Sequence, residues 1–376
     1  MFSLLAATVL FFVPTNTYNI HSNIIHEWKN QVKTEGWTVN QQLIENSIFT
    51  ESKTTRTNKV KFIFDKIREI KPKAVFFCGP VARIATGWSA DDGHNQRCVW
   101  NDFFYNGCIE WNELTDNKNY TNPPTGLFAY KNIIGDGRFD QSYVINTAKW
   151  AVGRVDFSNL PLISRGLINN TNSYLYGKEK VPLVDENAAL NDYFVRNLNY
   201  RRGLTRYENI ASLSSSYLNT NELAKLKLYR TNISFIVNNN FISNNPYIGR
   251  KLFMYYLMGQ DYRNSHYLSD LNEMINVVWF ANYRSYEYEQ TCENNPNQQG
   301  DQGNRRWLQW ALFVTWGPPR ADFLSGKTLA DSYLNIYGKQ NIYSASIQID
   351  GDPTLPLTVI QNTNIVVNKP TGLRFK

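Results

Sequence analysis

The beginning of the chain alternates short apolar runs with apolar residues at helical spacing, and this alternation restricts the fold more than any other feature. An apolar run at residues 8–13 is followed by a helical stripe at residues 20–32, which ends at Gly36. A second stripe at residues 60–70 precedes AVFFCG, a run short and apolar enough for a strand buried on both faces. This order predicts a mostly parallel α/β sheet with crossover helices.

Later segments continue the same alternation. The apolar runs WAVGRV, ISFIV, KLFMYYLMG and INVVWFAN predict further strands, and DENAALNDYFVRNLN and RRWLQWALF predict helices. Sheets of this class carry their functional loops at the carboxyl ends of the strands. The segment at residues 89–107, SADDGHNQRCVWNDFFYNG, follows AVFFCG and is therefore expected at such an end.

Composition excludes several classes of protein. Hydrophobic residues make up 42% of the 376 residues, and this is enough for a packed core. The net charge of +7 is spread along the chain, so no nucleic-acid partner is predicted. The first apolar run has no Lys or Arg before Lys29 and is too short to span a bilayer, which predicts neither a signal peptide nor a transmembrane segment.

Two polar segments interrupt the alternation, and a third follows it. Residues 101–147 and 290–304 are rich in turn-forming residues and are interpreted as loop insertions. Residues 358–376 follow GDPTLPL and are expected to be a linker towards a further C-terminal domain. The main domain is thus predicted to occupy residues 1–357.

Four motifs occur in a fixed order: a GP turn after AVFFC that leads to DDGH, then WNDFFYNG, then GDGRFDQS with AVGRVDFSNLP, and finally GDPTLPL. This order resembles gingipain-type, caspase-like cysteine peptidase homologues of bacterial surfaces, over residues 8–357. The resemblance implies a caspase-like three-layer α/β/α sandwich with a mostly parallel sheet. It also implies a secreted or cell-surface location and a peptide or protein ligand, with a glycan as the alternative.

Active members of that family use a Cys–His dyad, with His after one strand and Cys after the next. The corresponding positions here carry Met258 and Asn282, and neither a thioether nor an amide can do this chemistry. The favoured hypothesis is therefore a catalytically degenerate domain that serves binding. The alternative is an active cysteine endopeptidase with a displaced pair, drawn from Cys292 or Cys78 with His266 or His94. No phosphate-binding glycine motif supports a third hypothesis, a nucleotide enzyme.

The crowded segment at residues 89–107 has three interpretations. Asp92, His94 and Cys98 could hold a metal ion, although zinc would need a fourth ligand. His94 could instead carry protons, oriented by Asp92 or Asp102. The preferred interpretation is structural or ligand-positioning, because Asp-Gly turns and Asp side chains order local backbone. Asp92 and Asp102 are accordingly predicted to contact the substrate or ligand.

Two smaller features remain open. Asp136 and Asp140 in GDGRFDQS resemble half of a calcium loop, and a tight turn is the favoured alternative. Tyr283 and Tyr286 could form the rim of a binding surface or simply pack at a sheet end. Cys98 and Cys108 are close enough in sequence to form a disulfide, which depends on the compartment.

Overall fold

A computed structural model describes part of the chain at a level that supports analysis. The described residues are 6–47, 51–88, 98–109, 111, 146–158, 185–205, 210–213, 234–237, 255–257, 279–281, 312–316, 327–339 and 349–357. These ranges contain twelve strands, four α-helices and one 3-10 helix. The helices are α1 (Thr15–Thr34), α2 (Lys53–Ile70), α3 (Glu186–Arg201) and α4 (Leu329–Tyr337), and the 3-10 helix is Phe103–Asn106. The strands are β1 (Ala7–Pro14), β2 (Trp37–Ile44), β3 (Ala74–Cys78), β4 (Ile84–Trp88), β5 (Cys98–Asn101), β6 (Ala151–Val155), β7 (Ile210–Leu213), β8 (Ser234–Val237), β9 (Tyr255–Leu257), β10 (Trp279–Ala281), β11 (Phe313–Trp316) and β12 (Ile349–Gly351).

Eight of the described strands form one sheet in the order β2-β1-β3-β6-β12-β11-β10-β9. The first five strands are parallel to one another. Strand β11 is antiparallel to β12, and β10 and β9 run parallel to β11. The predicted α/β class with a mostly parallel sheet is confirmed. The single antiparallel pair means that β9, β10 and β11 end at the opposite end of the sheet from β1, β3 and β6.

Strand β1 is the centre of the first half of the sheet. It pairs with β2 on one side and with β3 on the other, which confirms the strand predicted at residues 8–13. Its residues from Val9 to Val13 are fully buried. The Trp28 ring of α1 lies 4.8 Å from Phe11 and 5.3 Å from Phe76 of β3, measured between ring centroids. The apolar stripe of α1 therefore packs on this part of the sheet, as its spacing predicts.

The first two helices end where the sequence predicts. Helix α1 stops before Gly36, whose φ of 91° is a backbone conformation that glycine adopts without steric cost. Helix α2 begins at Ser52, whose hydroxyl accepts from the Thr55 N–H, and ends at Lys71, immediately before Pro72. Helix α3 is capped by Asp185, which accepts two backbone N–H bonds. The helix predicted in DENAALNDYFVRNLN is confirmed.

Three parts of the structure differ from the predicted elements. Strand β2 was not predicted, because WTVNQQLI lacks the apolar run of a buried strand; it is the last described strand at one side of the sheet. The ISFIV strand lies outside the main sheet and pairs with β7. The helix predicted in RRWLQWALF is wrong at its end, where Phe313 begins β11, and its other residues before Leu312 lie outside the described part.

None of the described helices is long and apolar enough to cross a membrane.

Candidate functional site

The carboxyl ends of β3 and β6 meet around a buried arginine, Arg154, which is 1% exposed. Its Nε donates to Asp102 Oδ2 at 2.5 Å, and its Nη2 donates to Asp102 Oδ1 at 2.8 Å. This is the two-pronged geometry that suits a guanidinium and a carboxylate. Asp102 is itself 5% exposed, so the pair is closed to solvent.

The remaining contacts of Arg154 bind it to the chain that follows β3. Its Nη1 donates to the carbonyl oxygens of Gly79 at 3.2 Å and Val81 at 2.9 Å. The guanidinium also lies over the Phe77 ring, 4.8 Å from the centroid. Because its donors bond to Gly79 and Val81 as well as to Asp102, Arg154 holds the loop after β3 against the segment that contains Asp102.

The turn in WNDFFYNG is fixed by contacts of the same kind. The Tyr105 hydroxyl donates to the Ala82 carbonyl at 2.9 Å, and the Asn106 amide donates to the Tyr333 hydroxyl of α4 at 3.1 Å. Gly107 has a φ of 80°, and a Cβ at this position would lie 2.6 Å from the Trp150 ring. The turn therefore needs glycine for both backbone conformation and space.

The GDPTLPL motif supplies a second buried network, centred on Asp352. Its Oδ2 accepts from Trp28 Nε1 at 2.7 Å, from Arg201 Nη2 at 2.6 Å and from Asn197 Nδ2 at 3.2 Å. Its Oδ1 accepts from the backbone N–H of Thr354 at 2.8 Å and from its hydroxyl at 2.7 Å. The carboxylate joins α1, α3 and the end of the motif, and all five contacts are with the protein.

Arg201 extends this network to the end of α1. Its Nη1 donates to the Glu35 carboxylate, and its Nη2 also donates to the Thr354 hydroxyl at 2.8 Å. Burial raises the pKa of Glu35, while the positive charge of Arg201 opposes that rise. The network is therefore a buried arginine shared between a buried carboxylate, Asp352, and a half-buried one, Glu35.

The AVGRV and GDPTLPL motifs contact each other directly through their glycines. Strands β6 and β12 are parallel neighbours, with Gly153 opposite Ile349. A Cβ on Gly153 would overlap the Gly351 carbonyl oxygen and lie 2.7 Å from Pro353 Cδ. The two motifs that carry most of the family resemblance are thus adjacent. Their close approach requires a residue without a side chain at Gly153.

The two described cysteines with described side chains are both buried thiols, Cys78 and Cys108. The predicted pairing of Cys108 with Cys98 stays a prediction, because the Cys98 side chain lies outside the described part. Burial strongly raises the pKa of Cys78, and the carboxylate of Asp156 adds to the rise. A thiol with a raised pKa and no exposed surface is unsuited to nucleophilic attack, so Cys78 does not fit the displaced pair.

The predicted dyad positions follow two strands that are neighbours. Strands β9 and β10 are parallel, with Leu257 opposite Ala281, so they end at the same level. The next residues in the sequence are Met258 and Asn282, and both lie outside the described residues. Because of the antiparallel β11–β12 pair, these strand ends are at the opposite end of the sheet from Cys78.

Besides Cys78, Asp102 is the predicted site residue whose side chain is described, and it is engaged with Arg154. The other predicted site residues lie outside the described part: Asp92, His94, Asp136, Asp140, His266, Tyr283, Tyr286 and Cys292. Among described residues there is no group of three or more His, Cys, Asp or Glu side chains that could hold a metal ion. The sequence did not single out Arg201 or Asn197, since neither belongs to a quoted motif.

An open cavity of about 360 Å³ lies between the end of β2 and helix α2, and Ala82 of the loop after β3 forms part of its lining. We call it the β2–α2 groove. Its lining includes Leu43, Glu45, Asn58, Lys59, Phe62 and Ala82. The volume falls within the range of ligand pockets. Sequence reasoning missed the groove because its apolar residues come from an unpredicted strand and from the outer face of α2.

Comparison with known proteins leaves the chain without a match. No family model, no curated protein and no solved structure is similar to it.

Proposed function

We propose that this chain is a gingipain-like domain of caspase-like fold that has lost its catalytic dyad and serves binding at a secreted or surface location. The observation that carries the proposal is the pairing of β9 with β10, which end side by side at Leu257 and Ala281. In the resembling family the catalytic His and Cys follow two such strands. Here the following residues are Met258 and Asn282.

The chemistry of the described thiols supports the loss of catalysis. Cys78 and Cys108 are 0% and 2% exposed, and nucleophilic attack requires an accessible thiolate. The alternative, an active endopeptidase, then depends on Cys292 with His266 or His94. Cys292 belongs to the polar, turn-rich sequence at residues 290–304. A sequence of this kind is poorly suited to holding a nucleophile in the fixed geometry that acyl transfer requires.

A cleavage assay distinguishes the two functions. We expect the full chain to leave a broad library of fluorogenic peptides uncleaved, before and after treatment with iodoacetamide. Cys292→Ala is the matched control and should behave like the parent chain. Cleavage that iodoacetamide stops and that Cys292→Ala abolishes would identify an active peptidase and end the proposal.

The binding role is tested by offering both ligand classes to the same protein. We expect saturable binding of peptides, measured by fluorescence anisotropy, with a glycan array as the parallel measurement. Replacing Tyr283 and Tyr286 by Ser should weaken binding if these rings form the rim. Binding of neither class by the folded protein contradicts the binding role.

We further propose Asp136 and Asp140 as ligands for calcium, with backbone carbonyls completing the site. Calcium at millimolar concentration should then raise the Tm, and Asp136→Asn with Asp140→Asn should remove the rise. Magnesium at the same concentration is the control for a general ionic effect. An unchanged Tm in calcium excludes a specific site.

A further inference from the structure

The β2–α2 groove contains apolar residues that are exposed among the residues that the structure describes. Leu43 is 49% exposed and Phe62 is 44% exposed, whereas the neighbouring Ile63 is buried. Of the exposed large hydrophobic residues in the described part, these two line the same groove. An apolar surface of this kind indicates a place where another molecule binds.

Strand β2 offers backbone hydrogen-bonding groups beside the groove. All eight of its residues pair with β1, and no other described strand pairs on its second side. The sequence WTVNQQLI contains no charged residue and no proline. Edge strands usually carry such residues because they prevent another chain from adding to the sheet. This side of β2 is therefore suited to the addition of an extended strand.

The charges around the groove indicate what that strand should carry. The Lys59 ammonium is engaged by Glu51 at 2.7 Å and by the Asn46 carbonyl at 2.5 Å. Glu45 is exposed and makes no ion pair with any described residue. Glu45 is thus the groove carboxylate that no described cation neutralises, and it favours a cationic side chain in the ligand.

We propose that β2 and the β2–α2 groove form a peptide-binding site. An extended peptide would add to the side of β2 that no described strand covers, place an apolar side chain beside Leu43, and bring a Lys or Arg to Glu45. Leu43 and Glu45 are two positions apart, so the apolar and basic residues of the peptide should also be two apart. This site is independent of the proposed function. It lies at one end of the sheet, whereas β9 and β10 end at the other.

The test uses the full 376-residue chain and a library of blocked, fluorescent peptides with alternating Thr positions. Each peptide carries Leu, Phe or Ser at one position and Arg, Glu or Ser two positions later. We expect the Phe–Arg and Leu–Arg peptides to bind most tightly by fluorescence anisotropy. The same peptides N-methylated at alternate backbone nitrogens should lose binding, because strand addition uses those N–H groups.

Two variants connect the binding to the groove. Leu43→Ser should weaken the Phe–Arg peptide about tenfold or more, since the apolar contact is lost. Glu45→Lys should reverse the preference from Arg peptides to Glu peptides, which a merely structural role would not do. Ile20→Ser, at an exposed position of α1, is the matched control and should bind like the parent chain.

Absence of binding to every library peptide, a Glu45→Lys variant that keeps its Arg preference, or equal binding of the N-methylated peptides would overturn the proposal. A concentration-dependent dimer in sedimentation velocity that disappears in Leu43→Arg would show that a second copy occupies β2, and would likewise overturn it. Thermal melting of each variant establishes that it is folded before binding is compared.

Discussion

Two regions of the molecule are built on opposite principles. The networks around Arg154 and Asp352 are polar and largely buried. The β2–α2 groove is apolar, open and leaves Leu43 and Phe62 exposed. The motif residues lie in the buried networks, whereas the open groove contains none of them. Motif content and exposed apolar surface are therefore separate properties in this fold.

The largest effect should come from breaking the Asp352 network. Asp352→Ala leaves Arg201 buried with one carboxylate fewer, and we expect about 3–5 kcal/mol less free energy of unfolding. Urea denaturation followed by circular dichroism measures it. The matched control is Glu27→Ala, which removes the exposed pair with Arg202 and should change stability by less than about 1 kcal/mol. Similar losses in both variants would contradict the distinction.

Replacing Arg154 by Lys tests whether the geometry or only the charge matters. Lysine keeps the positive charge but cannot donate to both Asp102 oxygens and two carbonyls in one plane. We expect Arg154→Lys to lower the free energy of unfolding by about 2–3 kcal/mol, because buried acceptors are left unsatisfied. In the groove, Lys59→Arg should be nearly neutral by the same denaturation assay. A neutral Arg154→Lys would show that this geometry is not needed.

A methyl group added at Gly153 tests the contact between the two strand motifs. The new Cβ would overlap the Gly351 carbonyl, and we expect a loss of about 1–3 kcal/mol from overpacking. Gly36→Ala is the matched control, because it has a positive φ but no atom within 4 Å of the added Cβ. Its cost should come from backbone strain alone, at about 1–2 kcal/mol. Chevron or equilibrium denaturation of both variants separates the two causes.

The sequence predicted the elements whose signal is strong and local. The apolar runs of β3 and β6 and the helical spacing of apolar residues in α1 are direct consequences of burial. Gly36 and Pro72 mark helix ends by their backbone restrictions. Strand β2 was missed because it has polar residues and gains its order from pairing with β1. The reversal between β12 and β11 was also missed, because strand direction depends on connections that no local pattern records.

The candidate site shows the same division. The motifs containing Arg154 and Asp352 were found, but their chemistry could not be separated from packing until the partners Trp28 and Arg201 were located. These partners are far away in sequence and have no spacing that identifies them. The groove residue Phe62 lies on α2 beside the predicted apolar stripe. Its exposure depends on how α2 meets β2, which is a tertiary property.

The smallest predicted effect is a pH dependence from His21, which is 5% exposed. Its Nε2 is 3.3 Å from Asn187 Oδ1. Burial lowers the pKa of His21, although the Asn187 hydrogen bond and the Asp185 charge oppose the shift. The unfolded chain therefore binds this proton more tightly than the folded chain. The associated stability is present above the ordinary histidine pKa and is lost as the pH falls through it towards the folded value.

We expect this loss to disappear in His21→Gln, in urea denaturation between about pH 8 and pH 5. The parent chain should lose more free energy of unfolding over that interval than the variant does. His26→Gln, at an exposed position of the same helix, controls for the removal of an imidazole from the surface. Parallel curves for the parent and His21→Gln would show that His21 is not the group responsible. The closed interior would then contribute to stability through its ion networks and packing without adding a titration of its own near neutral pH.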